Sequence, residues 1–295
     1  MDVFAVVNPL SGAGANPDVA RQRVAMLMQR FAAAGITGGV HVTERRGHAA
    51  ELAAAAASQG ARVLLGWGGD GTINEMGSVV AGTRTALAMV PAGSGNGFAR
   101  ELGIPRDPAA AIDVAIHGRE RTIDAGEMNG RLFFNIAGIG FDADIAERFN
   151  AQGQGRRGLG PYLRIGFRQA FRYKCEAYRV RLDDEPLESR ALLIAFANGR
   201  EYGNGLRLAP HARVDDGKLE ALVVEDRSPL ARLWTSRHLA LGTSHKAAGV
   251  LTRSIASARV EADCDIPYHV DGEVGRAHGR IDVRIRPGVL KVKVP

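Results

Sequence analysis

Lysine is nearly missing from this chain. Of its 38 Lys and Arg residues, only Lys174, Lys218, Lys246, Lys291 and Lys293 are lysines. None stands in a glycine-rich loop, and the pattern G-x-x-x-x-G-K-[ST] does not occur, which excludes a lysine-bearing P-loop. Cysteine is scarce as well. Cys175 and Cys264 cannot build a disulfide framework and read as reduced side chains in a reducing compartment. The eight histidines show neither zinc spacing nor H-E-x-x-H. No apolar run reaches the length of a membrane-spanning helix. The opening MDVFAVVNPL has no basic region ahead of Asn8-Pro9, so no signal peptide is expected and the cytoplasm is the expected compartment. Glycine follows no G-X-Y period, which excludes collagen.

What remains is a folded chain of 295 residues with 45% hydrophobic and 24% charged residues, enough for one large or two medium domains. Glycine is the excess: 37 residues, about 12.5% against roughly 7% in average usage. The net charge of +6 permits attraction to phosphates without choosing among nucleotide, nucleic acid and lipid. Aromatic platforms and helix-turn-helix signals for nucleic acid are not evident.

Up to about residue 120, strands and helices alternate. Val3–Val7, Val40–Thr43, Arg62–Gly66 and Thr85–Val90 read as short buried strands, with helical spacing between them and a helix opened by Pro108. That alternation predicts a parallel sheet covered by helices. Beyond about Arg121 strand-like runs follow one another: Leu132–Ala137, Tyr178–Leu182, Ala191–Ala197, Leu219–Val224, Ala258–Ala262, Pro267–Val270, Ile281–Ile285 and Val289–Val294. They predict an antiparallel sandwich or barrel. Helical patches are expected near 157–173 and 229–241.

Three glycine loops each follow a predicted strand and precede a predicted helix. They are Asn8-Pro9-Leu10-Ser11-Gly12-Ala13-Gly14, Gly68-Gly69-Asp70-Gly71-Thr72, and Pro91-Ala92-Gly93-Ser94-Gly95-Asn96-Gly97. In a parallel sheet all three lie at carboxyl ends of strands, where open α/β sheets bind ligands. Glycine lets backbone N–H groups turn toward a phosphate, and the next helix adds its free N–H groups. Ser11, Thr72 and Ser94 offer hydroxyls, and Asn74 and Asn96 offer amides. One such loop is an ordinary turn; three in matching context point to phosphate binding. Gly153-x-Gly155-x-x-Gly158 follows no strand and is set aside. Asp70 is unusual beside phosphates. It suits holding Mg²⁺ or accepting a hydroxyl proton, while the plainer alternative is a helix cap bonded to Thr72 or Ile73 N–H.

These segments resemble the diacylglycerol kinase catalytic domain, a family that includes bacterial lipid kinases and sphingosine and ceramide kinases. The resemblance rests on Val7–Gly12, Gly68–Glu75 and Pro91–Arg100. It continues through Phe134–Ala143, Asn198–Gly205 with Ala209-Pro210, Asp215–Leu219 and Val270–Glu273, and so covers almost the whole chain. It implies an N-terminal phosphofructokinase-like α/β domain over 1–121, rejoined by a returning strand at 286–295. A C-terminal antiparallel β-sandwich domain over 122–285 follows, with the active site in the cleft between them. It implies ATP and Mg²⁺ as cofactors and transfer of the γ-phosphate to a diacylglycerol-like or sphingoid hydroxyl. The partner implied is a lipid at the inner face of the membrane; a homodimer is compatible.

Carried over by motif, Asn8, Pro9, Leu10, Ser11, Gly12, Thr43, Gly68, Gly69, Asp70, Gly71, Thr72, Asn74, Glu75, Gly93, Ser94 and Asn96 are expected around the nucleotide. Asp70, Asp271 and Glu273 are the expected catalytic carboxylates, either of the last two serving as base. Asp216, with the backbone carbonyls of Arg213 and Lys218, matches the family's structural Mg²⁺ site. Gly97 stands where bacterial lipid kinases often have Asp, and Ser94 where they have Thr, so this loop looks closer to sphingosine kinases. From position alone, Asp271-Gly272-Glu273 is a hairpin turn, and Asp142 and Asp144 suit a helix start as well as a site. Arg148 to Lys174 forms a basic stretch with apolar residues, read as a helix on the sandwich or a membrane-facing segment. A kinase of a soluble hydroxyl, including an NAD-kinase-like one, and a nucleotide-binding regulator without turnover are the alternatives.

Overall fold

The computed structural model describes residues 2–12, 17–151, 173–203 and 206–295. The chain divides into two units, Met1–Ile123 with Gly288–Pro295, and Asp124–Pro287.

The first unit begins β1 (Val3–Val7), α1 (Pro17–Ala33), β2 (Gly38–Val42), α2 (His48–Ser58), β3 (Val63–Gly68), α3 (Asp70–Val80) and β4 (Ala86–Pro91). Then come α4 (Gly97–Glu101) and α5 (Pro108–His117). β1 pairs in parallel with β2 and β3, and β3 with β4. β1 and β3 are buried along their whole length, because helices cover a parallel sheet on both faces and leave no polar alternation. β2, at the edge, is half exposed. α5 starts as its sequence predicts: Asp107 caps it by accepting the Ala110 N–H at 2.9 Å, with Pro108 in the first turn.

The second unit holds the second half of β5 (Arg119–Met128), then β6 (Arg131–Phe133), β7 (Ile136–Gly140), α6 (Phe141–Ala151), β8 (Glu176–Leu182) and β9 (Glu185–Ala197). There follow β10 (Glu201–Gly203), β11 (Leu206–Arg207), β12 (Leu219–Glu225), α7 (Pro229–Ala240), β13 (Val250–Ile255), β14 (Ser257–Val270) and β15 (Glu273–Val294). β9 and β14 are long strands that each serve two neighbours. β9 pairs antiparallel with β8 over its first half and with β7 and β12 over its second. β14 pairs with β8 near Ala258 and with β7 near Val270, its register shifting between Glu261 and Asp265. A shift of that kind bends a strand so that its two ends can join different layers. Phe133, Ile194, Phe196, Val223, Val260 and Ile281 lie in the core so formed.

Two expectations need correction, and two elements are added to them. Leu132–Ala137 is two strands, because Phe134 and Asn135 turn aside to donate their N–H groups to a carboxylate described below. Ile281–Ile285 and Val289–Val294 belong to one strand, β15, although Pro287 lacks a ladder donor. Its residues up to Arg284 pair with β14, and Val292 pairs in parallel with Leu87 of β4. Arg119–Met128 is a strand despite its charges: Arg119 and Glu120 sit at the exposed end, and Asp124 is buried. Phe141–Ala151 is a helix, the plainer of the two readings of Asp142 and Asp144. The patch at 229–241 is helical as expected, whereas most of the 148–174 stretch and Gly153–Gly158 lie outside the described residues.

Gly126 of β5 faces Phe133 of β6 across the hairpin, and a Cβ there would fall inside the buried Phe133 ring. Gly126→Ala is expected to destabilise by about 1–3 kcal/mol through overpacking, read as a lower midpoint in urea denaturation with an unchanged slope.

Candidate active site

In the first unit, the three glycine loops sit at the carboxyl ends of β1, β3 and β4. The Asn8 N–H donates to the Trp67 carbonyl at 2.9 Å and so continues the β1–β3 ladder. Its side chain then works in two directions. Oδ1 accepts the Leu10 N–H at 2.9 Å, and Nδ2 donates to the Thr72 hydroxyl at 2.8 Å, tying the first loop to the second. Ser11 donates its hydroxyl to the Asn8 carbonyl at 2.8 Å. Gly12 has φ 94°, in the left-handed region, where a side chain is strained. Thr43 is buried beyond the end of β2, its N–H donating to the Val7 carbonyl at 2.9 Å.

Arg23 of α1 pins the first loop. Its guanidinium donates to the Asn8 carbonyl at 2.8 Å, to the Ser11 hydroxyl at 2.9 Å and to the Ser11 carbonyl at 2.8 Å. It lies over the Trp67 ring, 5.5 Å from the centroid. Burial pulls its pKa below the ordinary arginine value, and arginine retains its charge at such sites. Sequence reasoning missed this residue, since nothing distinguishes one arginine of an exposed-looking helix from another.

The second and third loops touch through their backbones. A Cβ on Gly93 would lie 2.8 Å from the Gly69 Cα, and one on Gly68 would lie 2.7 Å from the Thr72 Cβ. Gly93 is therefore demanded by packing between loops, and Gly68 by the Thr72 side chain of its own loop, as well as by any ligand. Asn96 is buried with φ 48° and closes on one residue: its Oδ1 accepts the Gly93 N–H at 2.7 Å and its Nδ2 donates to the Gly93 carbonyl at 2.8 Å. It shapes the third loop, a different part from the amide donor expected of it. Ser94 is exposed at the loop tip, while Asn74 and Glu75 lie half-buried in the second turn of α3.

Asp70 is the first residue of α3, whose N-cap is Gly69 with no side-chain cap bond. The Ile73 N–H donates to the Gly69 carbonyl, so it is not held by an Asp70 cap. The Asp70 carboxylate instead faces the third loop. Its Oδ1 is 3.4 Å from the Phe98 N–H, and a Cβ on Gly95 would lie 3.1 Å from its Oδ2. Beside it runs a shallow crevice lined by Gly69, Pro91, Asn96 and Phe98. A negative charge in a first helical turn is stabilised by the helix dipole.

In the second unit, Asp271 and Gly272 form a two-residue hairpin between β14 and β15, both with positive φ, at 46° and 85°. The Asp271 carboxylate accepts three successive backbone N–H groups: Phe134 at 2.9 Å, Asn135 at 3.0 Å and Ile136 at 3.0 Å. Glu273, half-buried, opens β15 opposite Val270. Ahead of the turn, buried His269 pairs through Nε2 with buried Asp142 Oδ2 at 2.8 Å, and its Nδ1 accepts the Gly272 N–H at 3.3 Å. That assigns the ring proton to Nε2. Gly138 must be glycine, because a Cβ would collide with this pair.

Asp216 lies on the exposed turn 213–218, its Oδ1 accepting the Lys218 N–H at 3.1 Å. Buried Asp124 clamps the turn, donating its N–H to the Val214 carbonyl at 2.7 Å and accepting the Gly217 N–H at 2.7 Å. Buried Asn198 in turn donates to the Asp124 carbonyl at 3.1 Å. Among the described residues no three His, Cys, Asp or Glu side chains gather around one point, so a metal here would depend on carbonyl oxygens. The donor set fits: one carboxylate and two carbonyls are the hard oxygens that Mg²⁺ takes, with water completing the shell. Asn135 Oδ1 and Asn198 Oδ1 are buried without a protein partner, and such oxygens ordinarily hold water or an ion. Asp124 and His269 were not singled out as site residues, whereas Asp142 was weighed as one and Asn198 opens a motif of the resemblance. Their roles arise from contacts distant in sequence.

Comparison with known proteins agrees with this architecture. Residues 2–128 match the diacylglycerol kinase catalytic domain, and residues 135–294 match the YegS C-terminal NAD kinase beta sandwich-like domain. The chain belongs to this two-domain diacylglycerol kinase family. It is 30% identical over 292 residues to a "Probable lipid kinase YegS-like" of Cronobacter sakazakii, covering 97% of this chain and 94% of that one. It is 33% identical over 288 residues to a diacylglycerol kinase of Mycobacterium tuberculosis, covering 92% and 88%. A crystal structure of a diacylglycerol kinase from Bacillus anthracis str. Sterne shares the fold, with a TM-score of 0.75 at 20% identity, covering 100% and 97%.

Asp271→Asn keeps a side chain that tolerates positive φ but loses a carboxylate oxygen that accepts an N–H. It is expected to cost about 1–3 kcal/mol, measured by thermal unfolding.

Proposed function

We propose that this chain is an ATP-dependent lipid kinase that transfers the γ-phosphate to the hydroxyl of a diacylglycerol-like or sphingoid acceptor. The observation that carries this reading is the Asn8–Thr72, Gly69–Gly93 and Asp70–Phe98 connection of three glycine loops, within a family whose relatives bear lipid kinase names. Loops locked to one another hold their N–H groups at fixed positions, so little reorganisation is needed when phosphate charge arrives. Thr72 and Ser94 offer hydroxyls to the phosphates, the Ser11 hydroxyl being spent on the Asn8 carbonyl, and Arg23 holds the first loop in shape. Mg²⁺, when bound, would neutralise charge on the transferring phosphate. Asp70, at a helix start beside the third loop, is suited to hold that ion directly or through water. Asp216 with the Arg213 and Lys218 carbonyls is suited to a second, structural Mg²⁺.

Glu273 is the better candidate for the base that takes the acceptor's proton. Asp271 is committed to three backbone N–H groups, which leaves its oxygens poorly placed for a substrate hydroxyl. His269, held by Asp142 and bonded to the Gly272 N–H, fixes the turn that presents Glu273. Among the described residues no helix is long and apolar enough to cross a membrane, so a lipid acceptor would be met at the bilayer surface.

The test is transfer from radiolabelled ATP to a panel of lipids in mixed micelles, alongside NAD and soluble alcohols. Lipid labelling is expected. Labelling of NAD alone, or nucleotide binding with no product anywhere, sinks the reading. Asp70→Ala should abolish transfer without unfolding the chain, and Glu273→Gln should lower kcat by about 10²- to 10⁴-fold. Unchanged turnover in either variant removes that residue's role.

Asp216→Ala tests the structural ion separately. A loss of about 1 kcal/mol corresponds to roughly 2–4 °C in Tm for a unit of this size. EDTA should produce a similar drop in the parent and little further drop in the variant. A parent indifferent to EDTA would count against the ion.

A further inference from the structure

One stripe of the second unit is unused by the kinase reading. Trp234, Arg237, His238 and Leu241 stand at i, i+3, i+4 and i+7 along α7 and its last turn, so they share one face. Leu241 follows the assigned helix, but its N–H still donates to the Arg237 carbonyl at 3.0 Å. Trp234 is 60% exposed and Leu241 65%. The Arg237 guanidinium lies over the Trp234 indole at 5.8 Å, and the His238 ring meets it edge-on at 5.6 Å. Single exposed apolar side chains are ordinary. A tryptophan, an arginine and a leucine in register on one helix face form a composite surface.

The sequence around the stripe is equally one-sided. Between Arg227 and Val260 there is no Asp or Glu, while Arg227, Arg232, Arg237, Lys246, Arg253 and Arg259 are present. This stretch carries the chain's whole formal excess of +6. Arg232, Arg253 and Arg259 are held by Asp226, Glu185 and Asp282, whereas Arg237, on the stripe itself, is exposed. An indole flanked by a cation suits the water–bilayer boundary, where the ring lies among head groups and the guanidinium meets lipid phosphate. A second copy of the chain is a poor occupant, because a twofold contact through this face would set like charges against each other.

We propose that the Trp234–Arg237–His238–Leu241 face of α7 docks this protein on an anionic phospholipid bilayer. The proposal extends the lipid kinase reading, since such an acceptor resides in a bilayer, yet binding alone tests it. The full chain is sedimented with vesicles of phosphatidylcholine and with vesicles of equal parts phosphatidylcholine and phosphatidylglycerol. Binding to the anionic vesicles is expected to be about tenfold or more tighter, given roughly fivefold per basic side chain near such a surface, and to weaken with salt. Trp67 is buried, so a blue shift of tryptophan emission on vesicle addition reports Trp234.

The double variant W234S/R237E should lose about tenfold or more in binding with an unchanged melting curve. Leu241→Ser, which keeps the fluorophore, should lose less. Parent-like binding by the double variant overturns the proposal, as does failure of the parent to bind anionic vesicles. A parent dimer that the double variant splits would also overturn it, by assigning the face to a second copy. Transfer to a short-chain diacylglycerol in detergent micelles separates the two readings. The double variant should retain that activity, and a parent that binds vesicles through this face but phosphorylates no lipid leaves docking standing without the kinase.

Discussion

The first unit depends on one close approach. Gly69 and Gly93 meet backbone to backbone, with no room between them for a side chain. That contact brings Asp70 beneath Gly95 and within reach of the Phe98 N–H, and sets the start of α3 beside the third loop. Asn8 then links the first loop to the second through the Thr72 hydroxyl, while Gly68 leaves room for the Thr72 side chain. A Cβ at Gly69 or Gly93 would push apart loops that belong to different strands. Local flexibility is therefore the lesser use of these glycines; the greater is to let three strand ends converge.

The parallel strands could be read from sequence because burial on both faces removes polar alternation, leaving Val3–Val7 and Arg62–Gly66 as plain apolar runs. The glycine loops were legible for a related reason: glycine at three strand ends is a local signal. Non-local demands were not legible. Asn96 looked like a ligand donor, but its partner is Gly93 in its own loop, a closure that depends on its left-handed backbone. The interruption of Leu132–Ala137 follows from Asp271, more than 130 residues away. β15 hides in the sequence because Pro287-Gly288 normally ends a strand. Here residues on either side of that pair join different neighbours.

The carboxylates of the second unit show how similar residues take different work. Asp271 and Glu273 are two positions apart, and either suits proton transfer by type. The positive φ of Asp271 turns its side chain back onto the 134–136 backbone, where three N–H groups hold it. Glu273 has entered the regular strand. His269 and Asp142 tighten the same turn from below, and Gly138 gives up its side chain to make space for them. Asp124 plays the corresponding part at 213–218, using both its N–H and its carboxylate to hold one exposed turn. In each case a buried acid organises a backbone that carries an accessible one.

The scarcity of lysine follows from the same design. A flexible ammonium serves where a point charge must reach a phosphate, as in a P-loop. Here the glycine loops contain no lysine, and Arg23, which reaches the first of them, spends its hydrogen bonds on the loop itself. A planar guanidinium can hold two carbonyls and a hydroxyl at once and still sit over the Trp67 ring; an ammonium has no such fork. Positive potential for a phosphate then comes from backbone N–H groups and a helix start, whose direction is fixed by the fold. Such a source cannot be repositioned by rotating a side chain. It is effective only if the loops keep their places, which returns the demand to the glycines that let them touch.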